Sequence, residues 1–269
     1  MTKEQIQDFS LAHAEPAWLA DLRQAAFDQI DRLELPTIER VKFHRWNLGD
    51  GSLAENEAPG TVPDFTALDD NPKLVQVGSH TVLEQLPADL VEQGVVFTDL
   101  YSALELIPDV IEQYFGTVIK YDENKMTAYN AAYFNATAVL YIPDNVIVNQ
   151  PVEGLYYQDA TSSAPFNKRV LIIAGKNSQV NYLERFESFG EGGVETSANI
   201  TVEVVALAGS QVKFSAIDRL GKHVTTFMNR RGRLANDASI DWALGIMNQG
   251  NVVADFDSDL MGTGSHAKL

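Results

Sequence analysis

The apolar positions of this chain change their period once, near residue 137. Before that point they recur at spacings of three and four: Leu19, Leu22, Ala26, Ile30 and Leu33 form one stripe of a helix, which Pro16 suits as a first residue and Pro36 ends. Thr2 and Gln5 have the spacing of a capping box, in which hydroxyl and amide satisfy each other's orphan backbone donors. Short helices are expected at 87–93, 99–105, 108–115 and 122–133, punctuated by Pro87, Gly94, Pro108 and Gly116. Residues 49–72 are rich in Gly, Pro and acids without any period, and read as a long exposed loop or ordered linker. Residues 1–135 are therefore expected to form a helical N-terminal region.

From about 137, Ala138, Leu140 and Ile142 alternate with Val139 and Tyr141, and β-branched residues become frequent, which signals strand. A weak internal repeat follows. Val170 to Ala174 precedes GKNSQV, and Val202 to Ala208 precedes GSQV, so that Val180 and Val212 lie 32 residues apart. Looser copies run from Gly232 to Ile240 and from Gly250 to Leu260. Short strands with turn punctuation and no intervening helix must each pair with the next repeat, because one repeat cannot bury its own apolar face. The pattern predicts a mainly β chain, a β-solenoid over 136–269 behind a helical region; an irregular β-sandwich is the alternative.

Composition narrows the function classes. With 269 residues and 45% apolar content the chain has enough to bury a core. Its N-terminus, MTKEQIQDFS, lacks the apolar region of a signal peptide, and no apolar run approaches the roughly 18 residues of a membrane span, so a cytoplasmic location is expected. A net charge of −17 repels phosphate backbones and anionic lipid, which makes nucleic acid and membranes poor partners. With no cysteine, the chain supplies neither disulfides nor thiolate ligands to zinc, copper or an iron–sulfur cluster. The basic cluster Arg230, Arg231 and Arg233 reads as a solvated turn or strand edge rather than an anion site.

The sharpest local constellation is Asp255, Asp257 and Asp259 in VVADFDSDL, which period-two geometry puts on one face of a strand. Parallel carboxylates on a β-helix suit calcium binding or glycoside hydrolysis, the reading of a polysaccharide lyase or hydrolase, but an alternating acidic face also keeps an outer sheet soluble. His13, His44, His80, His223 and His266 show no metal-binding spacing and read as surface or capping residues, with His266 in the last repeat the one to watch. Gly190, Gly192 and Gly193 lack a phosphate-loop context and read as a flexible turn. Without a Walker A motif or a Gly-x-Ser-x-Gly elbow, no catalytic, cofactor-binding or metal-binding residue is assigned.

Several segments resemble the SufB/SufD family of SUF iron–sulfur cluster assembly subunits, and its SufD branch in particular. They are EPAWLADLRQAAFDQIDRLELPT (15–37), GVVFTDLYSAL (94–104), AVLYIPDNVIVNQPVEG (138–154), VLIIAGKNSQVNYLERF (170–186), TVEVVALAGSQVKFSAIDRLGKH (201–223) and the tail 229–269. Asp218, Arg219 and Leu220 stand where SufB-like chains tend to carry a Gln-Asn-Trp run, which favours SufD. The resemblance implies a helical region followed by a right-handed parallel β-helix in a non-catalytic scaffold. That scaffold pairs with a SufB-like β-helix subunit and docks a SufC-like ABC-type ATPase through a C-terminal helical domain, the nascent cluster forming in the complex rather than on this chain alone. Family members run well beyond this length, so later rungs and the ATPase-docking helices are expected to lie outside this sequence. An open solenoid end is expected to favour self-association, possible as a homodimer.

Overall fold

The structure, a computed structural model, describes residues 1–39, 42, 45–48, 52, 53 and 70–269. Helix α1 (Lys3–Ala12) opens on the expected capping box: Gln5 N donates to Thr2 Oγ1 at 3.3 Å and Thr2 N to Gln5 Oε1 at 2.8 Å. Helix α2 (Ala17–Gln29) starts one residue later than the sequence suggests, with Pro16 as its cap, and ends before Ile30 and Leu33. Helices α3 (Ala88–Glu92), α5 (Pro108–Tyr114) and α6 (Lys125–Tyr133) fall within spans read from the sequence, and α4 (Leu100–Leu106) runs one residue past its span of 99–105. The side chains of Asp99 and Asn124 accept from the first backbone amides of α4 and α6. Most of the stretch 49–72, read as a loop, lies outside the described residues.

Three strands interrupt the region read as helical: β1 (Lys73–Val77), β2 (His80–Gln85) and β3 (Val96–Thr98). They are short: β1 and β2 pair with each other as an antiparallel hairpin, and β1 and β3 also take partners farther along the chain. Strand β1 lies parallel to β5 (Val152–Asp159), with Lys73 opposite Glu153, and β3 lies antiparallel to β4 (Ala136–Ile142). Local periodicity carries no trace of such pairing, since strand formation depends on cross-strand packing more than on intrinsic preference.

The remaining strands are β6 (Phe166–Ala174), β7 (Gln179–Phe189), β8 (Thr196–Ala206), β9 (Gln211–Arg219), β10 (Val224–Leu234), β11 (Ser239–Ile246), β12 (Val252–Leu260) and β13 (His266–Lys268). Odd strands build one sheet, β13-β11-β9-β7-β5-β1-β2, and even strands the other, β12-β10-β8-β6-β4-β3. The chain thus winds as a β-solenoid of about four turns, β4–β5 to β10–β11, with β12 and β13 beginning the next. Val180 pairs with Val212 and Val170 with Val202, so the sequence repeat is the structural one.

Two cores explain why β6 and β8 are buried at every position. Val170, Ile172, Ala174, Val202, Val204 and Ala206 point between the sheets, while Leu171, Ile173 and Val205 point outward against Leu19, Leu100, Ala103 and Ile111 of the helices. Each such aliphatic side chain contributes about 1.5–3 kcal/mol on burial. At one corner of the solenoid, residues in the left-handed region stack turn upon turn: Asn145 (φ 64°), Asn177 (55°), Gly209 (72°), Asp237 (56°) and Gly264 (77°). Each of the first four donates its N–H to a carbonyl of the next turn, at 2.7–2.9 Å. Gly209 is required there, because the Asn177 Oδ1 of the previous turn occupies the place of a Cβ.

Candidate functional site: a charged chain inside the solenoid

Asp255, Asp257 and Asp259 do share the outer face of β12, beside the outward row Asn229, Arg231 and Arg233 of β10. Asp255 and Asp257 are exposed, and Asp259 lies 3.6 Å from Arg233 Nη2. Among the described residues no group of three His, Cys, Asp or Glu is placed to hold a metal ion. The row is a solvated acidic edge flanked by arginines.

The arginine cluster itself splits, and here the sequence expectation needs correction. Arg231 reaches Glu123 at 2.8 Å and Arg233 stays at the surface, but Arg230 is fully buried inside the solenoid. Strand β10 runs straight through Asn-Arg-Arg-Gly-Arg, and its period of two puts Arg230 in phase with the interior residues Met228 and Leu234.

Inside, Arg230 binds two carboxylates, both equally buried. Its Nη1 and Nη2 donate to the two oxygens of Asp218 on β9 at 2.8 and 2.7 Å, and Nε and Nη2 donate to Glu184 Oε1 on β7 at 3.0 and 2.7 Å. The other oxygen of Glu184 lies 3.5 Å from the Tyr182 hydroxyl, which is 2.9 Å from that of Tyr156. Gly154 on β5 leaves the room that these two hydroxyls fill. Nearer the N-terminal end, the Lys168 ammonium donates to Gln76 Oε1 and lies 4.0 Å from the centre of the Tyr156 ring. Phe186, Phe214 and Phe256 surround the guanidinium at 5.7–5.9 Å.

Burial dominates the electrostatics of this chain. It pushes Glu184 up to about 7 against the pull of Arg230, and drives Lys168 well below its ordinary value. Tyr156 and Tyr182 are both held above the usual phenol range by burial. For Arg230 burial works against the charge, but Glu184 and Asp218 outweigh it and raise the group. Such an arrangement can hold or release a proton.

None of these residues was singled out as a site from sequence, although Glu184 left a trace. It stands among Val180, Tyr182 and Phe186 at the apolar phase of an alternating strand. The histidines are not brought together: His13 caps α1, stacked between Phe9 and Tyr101, and His80 lies on β2. His223 Nε2 lies 3.0 Å from Gln158 Oε1, and His266 is exposed on β13. His44 falls outside the described residues. Gly190, Gly192 and Gly193 form the exposed turn between β7 and β8. Among the described residues no helix is long and apolar enough to cross a membrane.

The helices pack on the even-strand sheet, while the outer face of the odd-strand sheet carries Lys213, Ile217, Arg219, Asp241 and Ala243 to solvent. Comparison with known proteins places this architecture. Residues 67–153 match the SufBD protein N-terminal region, and residues 156–269 the SufBD core domain of the SUF system for FeS cluster assembly. The iron–sulfur cluster assembly protein SufD of Bacillus subtilis is 34% identical over 98% of this chain and 63% of its own length. A chloroplastic SufBD family protein of Arabidopsis thaliana is 26% identical over 90% of this chain and 48% of its own. The chain thus spans about half to two thirds of the length of these relatives, and by the two adjoining family matches and the SufD likeness it belongs to the SufBD family of iron–sulfur cluster assembly proteins.

Proposed function

We propose that this chain is a non-catalytic scaffold subunit of a SUF-type iron–sulfur cluster assembly complex, pairing through its solenoid with a SufB-like β-helix and working with a SufC-like ABC-type ATPase. The observation that carries this reading is the 34% identity with SufD of Bacillus subtilis, sustained over 98% of the chain. Two features support it. The sheet face bearing Lys213, Ile217 and Arg219 offers a partner a regular surface, and the buried arginines Arg169 and Arg230 are engaged with the buried carboxylates of Glu203, Glu184 and Asp218. The cluster is cargo in this reading, and with no cysteine in these 269 residues any thiolate ligand comes from outside them.

Co-expression of the full-length gene product with the SufB-like and SufC-like proteins of the same organism tests the proposal. A stable complex containing all three on affinity purification and gel filtration is expected. Failure of the product to retain either partner would sink the scaffold reading.

A further inference from the structure

Around Arg230 the buried chain sets two carboxylates against one cation. Arg230 is shared by Glu184 and Asp218, and the other interior cation, Lys168, spends its hydrogen bond on the neutral Gln76 and faces the ring of Tyr156. With Lys168 hydrogen-bonded to Gln76 rather than to either carboxylate, and burial working against its charge, two ionised carboxylates around one guanidinium leave an excess negative charge in an apolar core, a strongly unfavourable state. A single proton on one carboxylate removes it.

Geometry decides which carboxylate takes that proton. Asp218 meets Arg230 with both oxygens, a bidentate arrangement that engages the whole carboxyl group with the guanidinium. Glu184 offers Arg230 only Oε1, and its Oε2 faces the Tyr182 hydroxyl, which can accept a proton's hydrogen bond and pass the polarity on to Tyr156. The charged and titratable groups around Glu184 come from every strand packed on it: Tyr182 on its own strand, Tyr156 from β5, Lys168 from β6, Asp218 from β9 and Arg230 from β10. Asp99, which caps α4, acts on Lys168.

We propose that Glu184 is a proton switch in the solenoid interior: protonated, it leaves a neutral Arg230–Asp218 pair, and ionised, it adds an excess charge that loosens the turns carrying β7, β9 and β10. The sign follows from the direction of its shift. A carboxyl raised from 4.5 to about 7 on folding binds its proton more tightly in the folded chain, so stability is lost as pH rises from 4.5 through 7. Lys168, held low by burial, has the opposite slope, gaining stability as pH rises towards 10.5.

Hydrogen exchange of the β7, β9 and β10 amides at pH 6 and pH 8, corrected for intrinsic exchange, compares the full chain with its Glu184→Gln variant, which cannot ionise. From pH 6 to pH 8 the protection of the wild type is expected to fall about tenfold further than that of Glu184→Gln, the factor given by linkage for such a shift. Equal slopes overturn the proposal. Should Glu184→Gln fail to fold, infrared spectra of the ¹³C-glutamate-labelled wild type decide it: a protonated carboxyl band that disappears near pH 7 is expected, and its absence at pH 6 overturns the switch.

Discussion

Arg169 and Glu203 meet at 2.7 Å under the helical cover, and the carboxylate also accepts the backbone amides of Gly116, Val118 and Ile119 at 2.9–3.2 Å. Both side chains are buried, and Arg169 further donates to Asn130 of α6 and to the Ile119 carbonyl. One ion pair thus fixes the α5–α6 connection to strands β6 and β8. Replacing Glu203 with Ala strands a buried guanidinium and three amides, and is expected to destabilise the fold by about 3–5 kcal/mol. Urea denaturation followed by circular dichroism measures it; a loss under about 1 kcal/mol contradicts this account.

Gly154 and the tyrosine pair offer a second test. A Cβ at Gly154 meets the hydroxyls of Tyr156 and Tyr182, neither of which has room to withdraw inside the solenoid. Gly154→Ala is expected to cost about 1–3 kcal/mol by overpacking. In a Tyr182→Phe background, which deletes one of the two hydroxyls, the same substitution should cost less. A double-mutant cycle showing no coupling would remove the steric explanation.

The two tests also mark where the sequence was readable. The 3.6-residue stripe of α2, the change of period near 137 and the Val180–Val212 spacing are local patterns, and the fold preserves each of them. Strand β3 and the parallel edge of β1 are not local, since β4 and β5 farther along the chain supply their partners. Arg230 reads as surface because three arginines within four residues suggest one, whereas the alternation of β10 sends the adjacent Arg230 and Arg231 to opposite sides of the sheet. A charge standing at the apolar phase, as Glu184 does between Tyr182 and Phe186 and Asp218 does after Phe214 and Ala216, is the legible sign of the buried chain. The partners of Glu184, Asp218 and Arg230, arrive only when successive turns stack.

The outer carboxylates are expected to be dispensable. Asn at Asp255 or Asp257 should change stability by no more than about 0.5 kcal/mol. At Asp259 the loss of a surface pair with Arg233 adds at most about 1 kcal/mol. Neither the wild type nor the triple variant is expected to cleave polysaccharides, with or without calcium. Calcium-dependent cleavage abolished by the triple substitution would restore the carbohydrate reading.

Alkaline titration probes the interior from another side. Tyr156 and Tyr182 are held above 10.0 mainly by burial, so they stay protonated in the folded chain while the unfolded chain ionises near that value. Stability therefore falls as pH rises past 10.0. Absorbance at 295 nm should show exposed tyrosines titrating first and the buried pair appearing only together with the loss of circular dichroism. Smooth titration of all nine tyrosines without unfolding would disprove the burial of this pair.

Arg230 belongs to the fourth turn, Asp218 to the third and Glu184 to the second. Stacked-repeat proteins ordinarily melt as a row of neighbours, each repeat answering only to the next. A guanidinium that reaches back two turns breaks that independence, because no single turn can peel away without exposing or orphaning a charge in another. Denaturation of these turns should then be one cooperative event, with a steep dependence on urea, where a solenoid of purely apolar interior would fray from its ends.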